Sequence, residues 1–224
     1  MRHDASDRSD ICAARPVHGP AHARVYHLPM DGKATMSSPA RVRAKLTYDD
    51  LRDFPDDLLR REIIDGDLYV TAAPNVRHQE ILGRLHLAFG VHLEAHPDLG
   101  RVFFAPFDVV FSKYDVVEPD LVFVAGDQVD ILNLKNASGA PALVVEVLSP
   151  STRRTDEKIK KGLFDRAGVR EYWIVDPELD TVKVFRRDEA GPLARVAELA
   201  AEDRARLSTP LVPGLAIALD HLFR

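Results

Sequence analysis

The chain has 224 residues, 46% of them hydrophobic and 29% charged, which suits a globular protein with one sizeable core. No run approaches the ~18 consecutive apolar residues of a membrane helix, which disfavours a membrane span. A formal net charge of -5 and a pI near 6.0 disfavour a protein that coats nucleic acid with a broad basic surface.

The first twenty residues, MRHDASDRSDICAARPVHGP, are polar and lack the apolar core of a secretory signal. The single cysteine, Cys12, lies there, so there is no disulfide framework and no cysteine metal site, and a reducing cytoplasm fits. Residues 1–40 show no sustained period and read as a disordered extension ahead of one domain over residues 41–224. Met36 would serve as a natural start, and residues 1–35 are assigned no function.

In LTYDDLRDFP, Thr47 is placed to cap a short helix that Pro55 ends. EIIDGDLYV alternates around Asp65-Gly66, a strong hairpin signal. Residues 76–95 have helical spacing, with Ile81, Leu82, Leu85, Phe89 and Leu93 on one face and Pro97 beyond the end. RVFFAPFDVVF, PDLVFV and ALVVEVL follow as three strand candidates. A helix is expected from Arg153 to Ala167 with Gly168 as its stop, then REYWIVD and TVKVFRR as a strand hairpin. The apolar LVPGLAIALDHLF packs back on the core. A run of strands followed by a crossover helix implies an α/β fold with a central mixed sheet flanked by helices, plus an N-terminal hairpin and C-terminal strands.

Glu146 stands out because ALVVEVL is apolar in both alternating phases, the mark of a strand covered on both sides. A carboxylate there needs a partner, since an isolated buried charge costs several kcal/mol. A structural ion pair is one account. Asp120, at the head of LVFV, offers another: two carboxylates on adjacent strands suit Mg²⁺, which binds through one or two of them. From Ser151 to Glu171 seven Lys/Arg face four Asp/Glu, a local basic excess that allows a restricted phosphate-facing patch. On a helical wheel Asp156 and Lys160 fall within the arc of Ile159, Leu163 and Ala167, whereas Lys158 and Lys161 point to solvent. Lys160 must meet the sheet, and Glu146 is its natural anion.

VEPDLVFV, LVVEVLSPST and TDEKIKKGLFDRAGVREYWIVDP together resemble the Uma-two family of restriction-endonuclease-like proteins. The pattern D-x3-K-x3-[YF]-x3-G-V-x-E-Y-W is filled by Asp156, Lys160, Phe164, Gly168, Val169, Glu171, Tyr172 and Trp173, and REIIDGDLYVTAAPNVRHQ matches upstream. The resemblance spans about residues 45–224. It implies a restriction-endonuclease-like, PD-(D/E)XK core in which Asp120 and Glu146 bind Mg²⁺ or Mn²⁺ and a lysine positions the attacking water. Leu148 stands where the parent motif has its lysine, so the resemblance moves that role to Lys160. It also admits Glu62 and His78 as supporting site members, although His78 faces inward on its wheel as a core histidine would. The implied protein is a cytoplasmic, bacterial-type endonuclease acting on DNA, with a homodimer suited to duplex cleavage. A non-catalytic binding or regulatory module on the same fold is the competing reading, favoured by the acidic pI and the absent strand lysine.

Other candidates have plainer readings. His92 and His96 have a chelating i, i+4 spacing but no third ligand, and read as helix surface. Asp108 is either a further site carboxylate or ordinary strand alternation. Ser151 or Thr152 is expected to cap the helix after Glu146, and Tyr172 and Trp173 read as core rather than as base-stacking residues.

Overall fold

Asp65 and Gly66 both take positive φ, 54° and 80°, and turn the chain through a two-residue hairpin. The computed structural model describes residues 44–224 except 56, 58 and 190, so the expectation for residues 1–40 lies outside the described residues. Strands β1 (Arg60–Ile64) and β2 (Asp67–Thr71) pair antiparallel across the turn, which sets Glu62 opposite Tyr69. A Cβ on Gly66 would lie 2.5 Å from the Lys45 Cβ, in a conformation that L-residues disfavour. Gly66→Ala is therefore expected to cost about 1–3 kcal/mol, seen as a lowered midpoint in urea unfolding. Upstream, Thr47 caps the 3₁₀ turn Tyr48–Asp53, its N–H and Oγ1 both donating to Asp50 Oδ2.

Helix α1 (Val76–Ala95) starts on Asn75, whose side chain accepts from the His78 N–H at 2.9 Å. Its buried face holds the five expected apolar residues and His78. The next apolar stretch departs from expectation, because RVFFAPFDVVF forms two strands. β3 (Gly100–Phe104) ends before Pro106, which has no N–H to give a ladder, and β4 (Val109–Ser112) resumes in a different sheet. There follow β5 (Asp115–Val117), β6 (Leu121–Ala125), β7 (Ala137–Ser138) and β8 (Leu143–Val147).

From Arg153 the chain is helical to α2 (Lys161–Ala167), with a π-helical segment, Thr155–Lys160, wound into it. Gly168 at φ 90° ends the helix in the left-handed region, as expected. β9 (Glu171–Asp176), β10 (Thr181–Arg187) and β11 (Leu193–Ala200) then form a meander. β12 (Arg206–Ser208), β13 (Ala216–Ala218) and the short α3 (Leu219–Leu222) complete the described chain.

The main sheet has the order β11-β10-β9-β8-β6-β3, with β8 and β9 parallel and the other neighbours antiparallel. The helix over 153–167 is the crossover that a parallel pair requires. A second sheet, β2-β1-β5-β4-β7, carries the opening hairpin. Apolar clusters fill both faces of the main sheet. Leu143, Val145, Val147 and Trp173 join α1 and the C-terminal Leu219, Leu222 and Phe223, while Val144, Leu148 and Tyr172 join Ile64, Leu163 and Phe164. Glu146, two residues from Val144, points to the second face. Tyr172 and Trp173 are fully buried on opposite faces, which confirms them as core.

Candidate active site

Glu146 is the polar residue of a strand otherwise packed on both faces, and it is 2% exposed. The π-helical segment brings Lys160 over it, with Nζ 2.8 Å from Glu146 Oε1. The same Nζ is 2.8 Å from Glu62 Oε1 on β1 and 3.6 Å from Asp156 Oδ1 one turn back. Glu62 is fixed from behind by the Glu118 N–H, which donates to its Oε1 at 2.9 Å. Lys160 thus joins three elements: the main sheet, the second sheet and its own helix.

Asp120 immediately precedes β6, the strand beside β8. Its Oδ2 accepts from the Val147 N–H at 2.8 Å and from His78 Nε2 at 3.0 Å. The first bond ties Asp120 to the residue next to Glu146, so the two acids open on one place. On the other side Arg60 Nη1 lies 2.9 Å from Asp120 Oδ1, and Arg60 Nε lies 3.2 Å from Glu118 Oε1. Glu62, His78, Asp120, Glu146 and Lys160 all line one cavity of about 150 Å³, together with Arg60 and Asp156. Its other lining residues, among them Ala72, Ala73, Asn75, Ser149, Ser151 and Thr155, are uncharged.

Four carboxylates here, Glu62, Asp120, Glu146 and Asp156, face two permanent cations, Arg60 and Lys160, leaving an excess of two negative charges when all are ionised. Burial accordingly pushes Glu146 well above the usual carboxylate range despite the Lys160 charge. Asp120 goes the other way. Burial raises it, but the His78 hydrogen bond and the Arg60 charge outweigh that and hold it well below its ordinary value. Lys160 is disfavoured as a cation by burial, yet Glu146, Glu62 and Asp156 more than restore it and keep its ammonium charged.

Asp156 is pushed up by burial from its ordinary 3.8 to about 6. A raised folded value means that its contribution to stability is full below 3.8 and is lost as pH rises through about 6. Asp120, with its depressed value, contributes above its unfolded value and loses that contribution only in stronger acid. Asp156→Asn is therefore expected to remove a loss of about 2 kcal/mol between pH 4 and pH 6. Urea unfolding of both proteins across that window is the check.

The remaining sequence candidates separate from the cavity. Asp108 accepts from Tyr48 Oη at 2.8 Å and lines a different hollow with Phe54 and Arg61. His92 Nε2 donates to Pro213 O, while His96 Nδ1 donates back to His92 O, so these rings are committed to carbonyls. Just ahead of the helix Ser149 and Thr152 bond to each other, the Ser149 Oγ accepting from the Thr152 N–H and the Ser149 N–H donating to Thr152 Oγ1. Lys158 is exposed as expected, whereas Lys161 is half-buried with its Nζ 5.3 Å from the centre of the Phe185 ring. Arg60 is the site residue that sequence reasoning missed. The available signal was strand alternation, since residues 60 and 62 share a face of β1.

Among the described residues no group of three or more His, Cys, Asp or Glu is arranged to hold a metal ion. The oxygen donors on offer are the pair Asp120 and Glu146, a low protein-ligand count that fits Mg²⁺ or Mn²⁺ with water and phosphate completing the shell. Asp120 Oδ1 supports that fit, because it is buried in the cavity wall and receives no aligned hydrogen bond. Among the described residues no helix is long and apolar enough to cross a membrane.

No curated protein matches the sequence. Among solved structures, the chain is similar to a "putative nuclease belonging to DUF820" from Anabaena variabilis ATCC 29413, with a TM-score of 0.66 and 19% identity. That similarity covers 80% of this chain and 97% of the other, and at such identity it speaks for the fold. The family model Uma2, described as "Putative restriction endonuclease", matches residues 48–220, a span that contains every residue lining the cavity. The chain belongs to the Uma2 family.

Proposed function

We propose that the protein is a divalent-metal-dependent endonuclease that hydrolyses DNA phosphodiester bonds. The observation that carries this reading is the convergence of Asp120, Glu146 and Lys160 on one cavity from neighbouring strands and the crossover helix. Held by Asp120 and Glu146, Mg²⁺ or Mn²⁺ would polarise a phosphoryl oxygen and lower the pKa of bound water. His78 and the Val147 N–H fix the aim of Asp120, and Glu62 holds the Lys160 amine together with Glu146. Lys160 keeps its proton among these carboxylates, so its part is to position and stabilise anionic oxygens rather than to act as a base. Hydrolysis adds hydroxide to phosphorus, breaks one P–O bond and delivers the proton to the leaving oxygen. The missing strand lysine is no obstacle to this arrangement, since Leu148 is buried in the core and the amine arrives from the helix.

One observation favours a non-catalytic module instead: Arg60 and Lys160 already neutralise the acids that would bind the metal. Plasmid nicking with Mg²⁺ and Mn²⁺, beside Glu146→Ala and Lys160→Ala, separates the readings. Metal-dependent nicking lost in both variants supports the enzyme. Nicking untouched by either substitution signals a contaminant, and no cleavage of duplex, single-stranded or branched DNA sinks the nuclease reading. A cytoplasmic setting and a homodimer, which would supply two active sites to a duplex, belong to the same proposal; light scattering tests the dimer.

A further inference from the structure

Asp120 has three attachments, and they are unequal. Two are hydrogen bonds to Oδ2, from the Val147 backbone and the His78 ring. The third is the charge of Arg60, whose Nη1 sits 2.9 Å from Oδ1, although Oδ1 has no aligned hydrogen bond. Arg60 is itself largely buried, with 17% of its side chain exposed, and it lines the cavity along with Asp120 and Glu62. A second anchor holds it independently, through Nε to Glu118 Oε1.

We propose that Arg60 is a built-in counter-ion at Asp120 Oδ1 that gives way to the divalent cation when the cation binds. The inference rests on the reading of Asp120 as a cation ligand. A buried carboxylate needs a compensating charge in the metal-free protein, and Arg60 supplies it. A guanidinium and a divalent cation on one oxygen repel, so only one of them holds Oδ1 at a time. Arg60 can leave cheaply, because Glu118 retains its Nε and no stranded cation results. Lys160 has no such need to move: if Glu146 turns to a cation, Glu62 and Asp156 still neutralise the amine.

Competition of this kind weakens the apparent metal affinity by the fraction of time that Oδ1 is free. If that fraction is about one tenth, Arg60→Gln lowers the Kd for Mn²⁺ about tenfold. Arg60→Lys keeps the charge but cannot span Asp120 and Glu118 with one fork, so its Kd falls about threefold. Titration calorimetry with Mn²⁺ alone measures both, and Glu146→Ala marks which heat belongs to this site. In the wild type, NMR should show the Arg60 guanidinium protons exchanging faster with water as Mg²⁺ is added, while those of Arg153, paired with Asp176 and Glu178, stay unchanged. The lysine variant and the wild-type spectra carry the test if Arg60→Gln does not fold. Wild-type Kd values in both Arg60 variants, or a shift in the glutamine variant alone, overturn the exchange and leave the metal site standing. No Mn²⁺ binding by wild type or variants overturns both.

Discussion

Lys160→Met is expected to lower the stability of the protein by about 3–5 kcal/mol at pH 7.5, the cost of stranding buried charge by removing one partner. The lysine is 3% exposed and is the shared cation of Glu146, Glu62 and Asp156, so its loss leaves three buried carboxylates without it. A methionine fills much the same volume, which separates the charge effect from a cavity effect. The penalty should shrink in acid. Without the ammonium, the carboxyls that burial already raises rise further, and a raised folded value favours the folded state as pH falls. Denaturant unfolding of both proteins at pH 7.5 and pH 5 tests this. A deficit that is equal at the two values would show that the amine acts by packing alone.

Glu146→Gln is expected to behave in the opposite way: hydrolysis falls about 10²–10³-fold while stability is kept or raised. Burial drives Glu146 toward its protonated form, and glutamine supplies a neutral isostere of that form. The amide oxygen can still accept from Lys160, which keeps two other carboxylates. What is lost is the anionic oxygen that the proposed chemistry needs. Measured together, nicking rate and unfolding midpoint distinguish an acid kept for chemistry from one kept for an ion pair. A parallel fall of both would return Glu146 to the structural account.

The readable parts of the fold were those where one period or one punctuating residue decides the local structure. The α1 face, the Asp-Gly hairpin and the Gly168 stop match the described elements because each depends on nearby residues. The split of RVFFAPFDVVF into two sheets was not readable, because both halves are apolar and only pairing partners tell them apart. At the site, Lys160 meets Glu146 as the wheel implied, since each was a charge on a face that had to be buried. Arg60 stayed hidden: alternation puts it on the face of Glu62, but its partner Asp120 lies sixty positions away on another sheet. Its partner in space is fixed by the docking of two sheets, and docking leaves little trace in local sequence.

The π-helical segment Thr155–Lys160 bears on how such a site can be sought in other chains. A π turn takes up more residues than an α turn, so it acts as slack between two fixed points. Here Glu146 and Lys160 meet fourteen residues apart. A chain that ran straight α-helix through this stretch could seat the same amine with a shorter count. The spacing between acid and lysine is thus an adjustable length, and a pattern with rigid gaps would pass over sites of the same geometry.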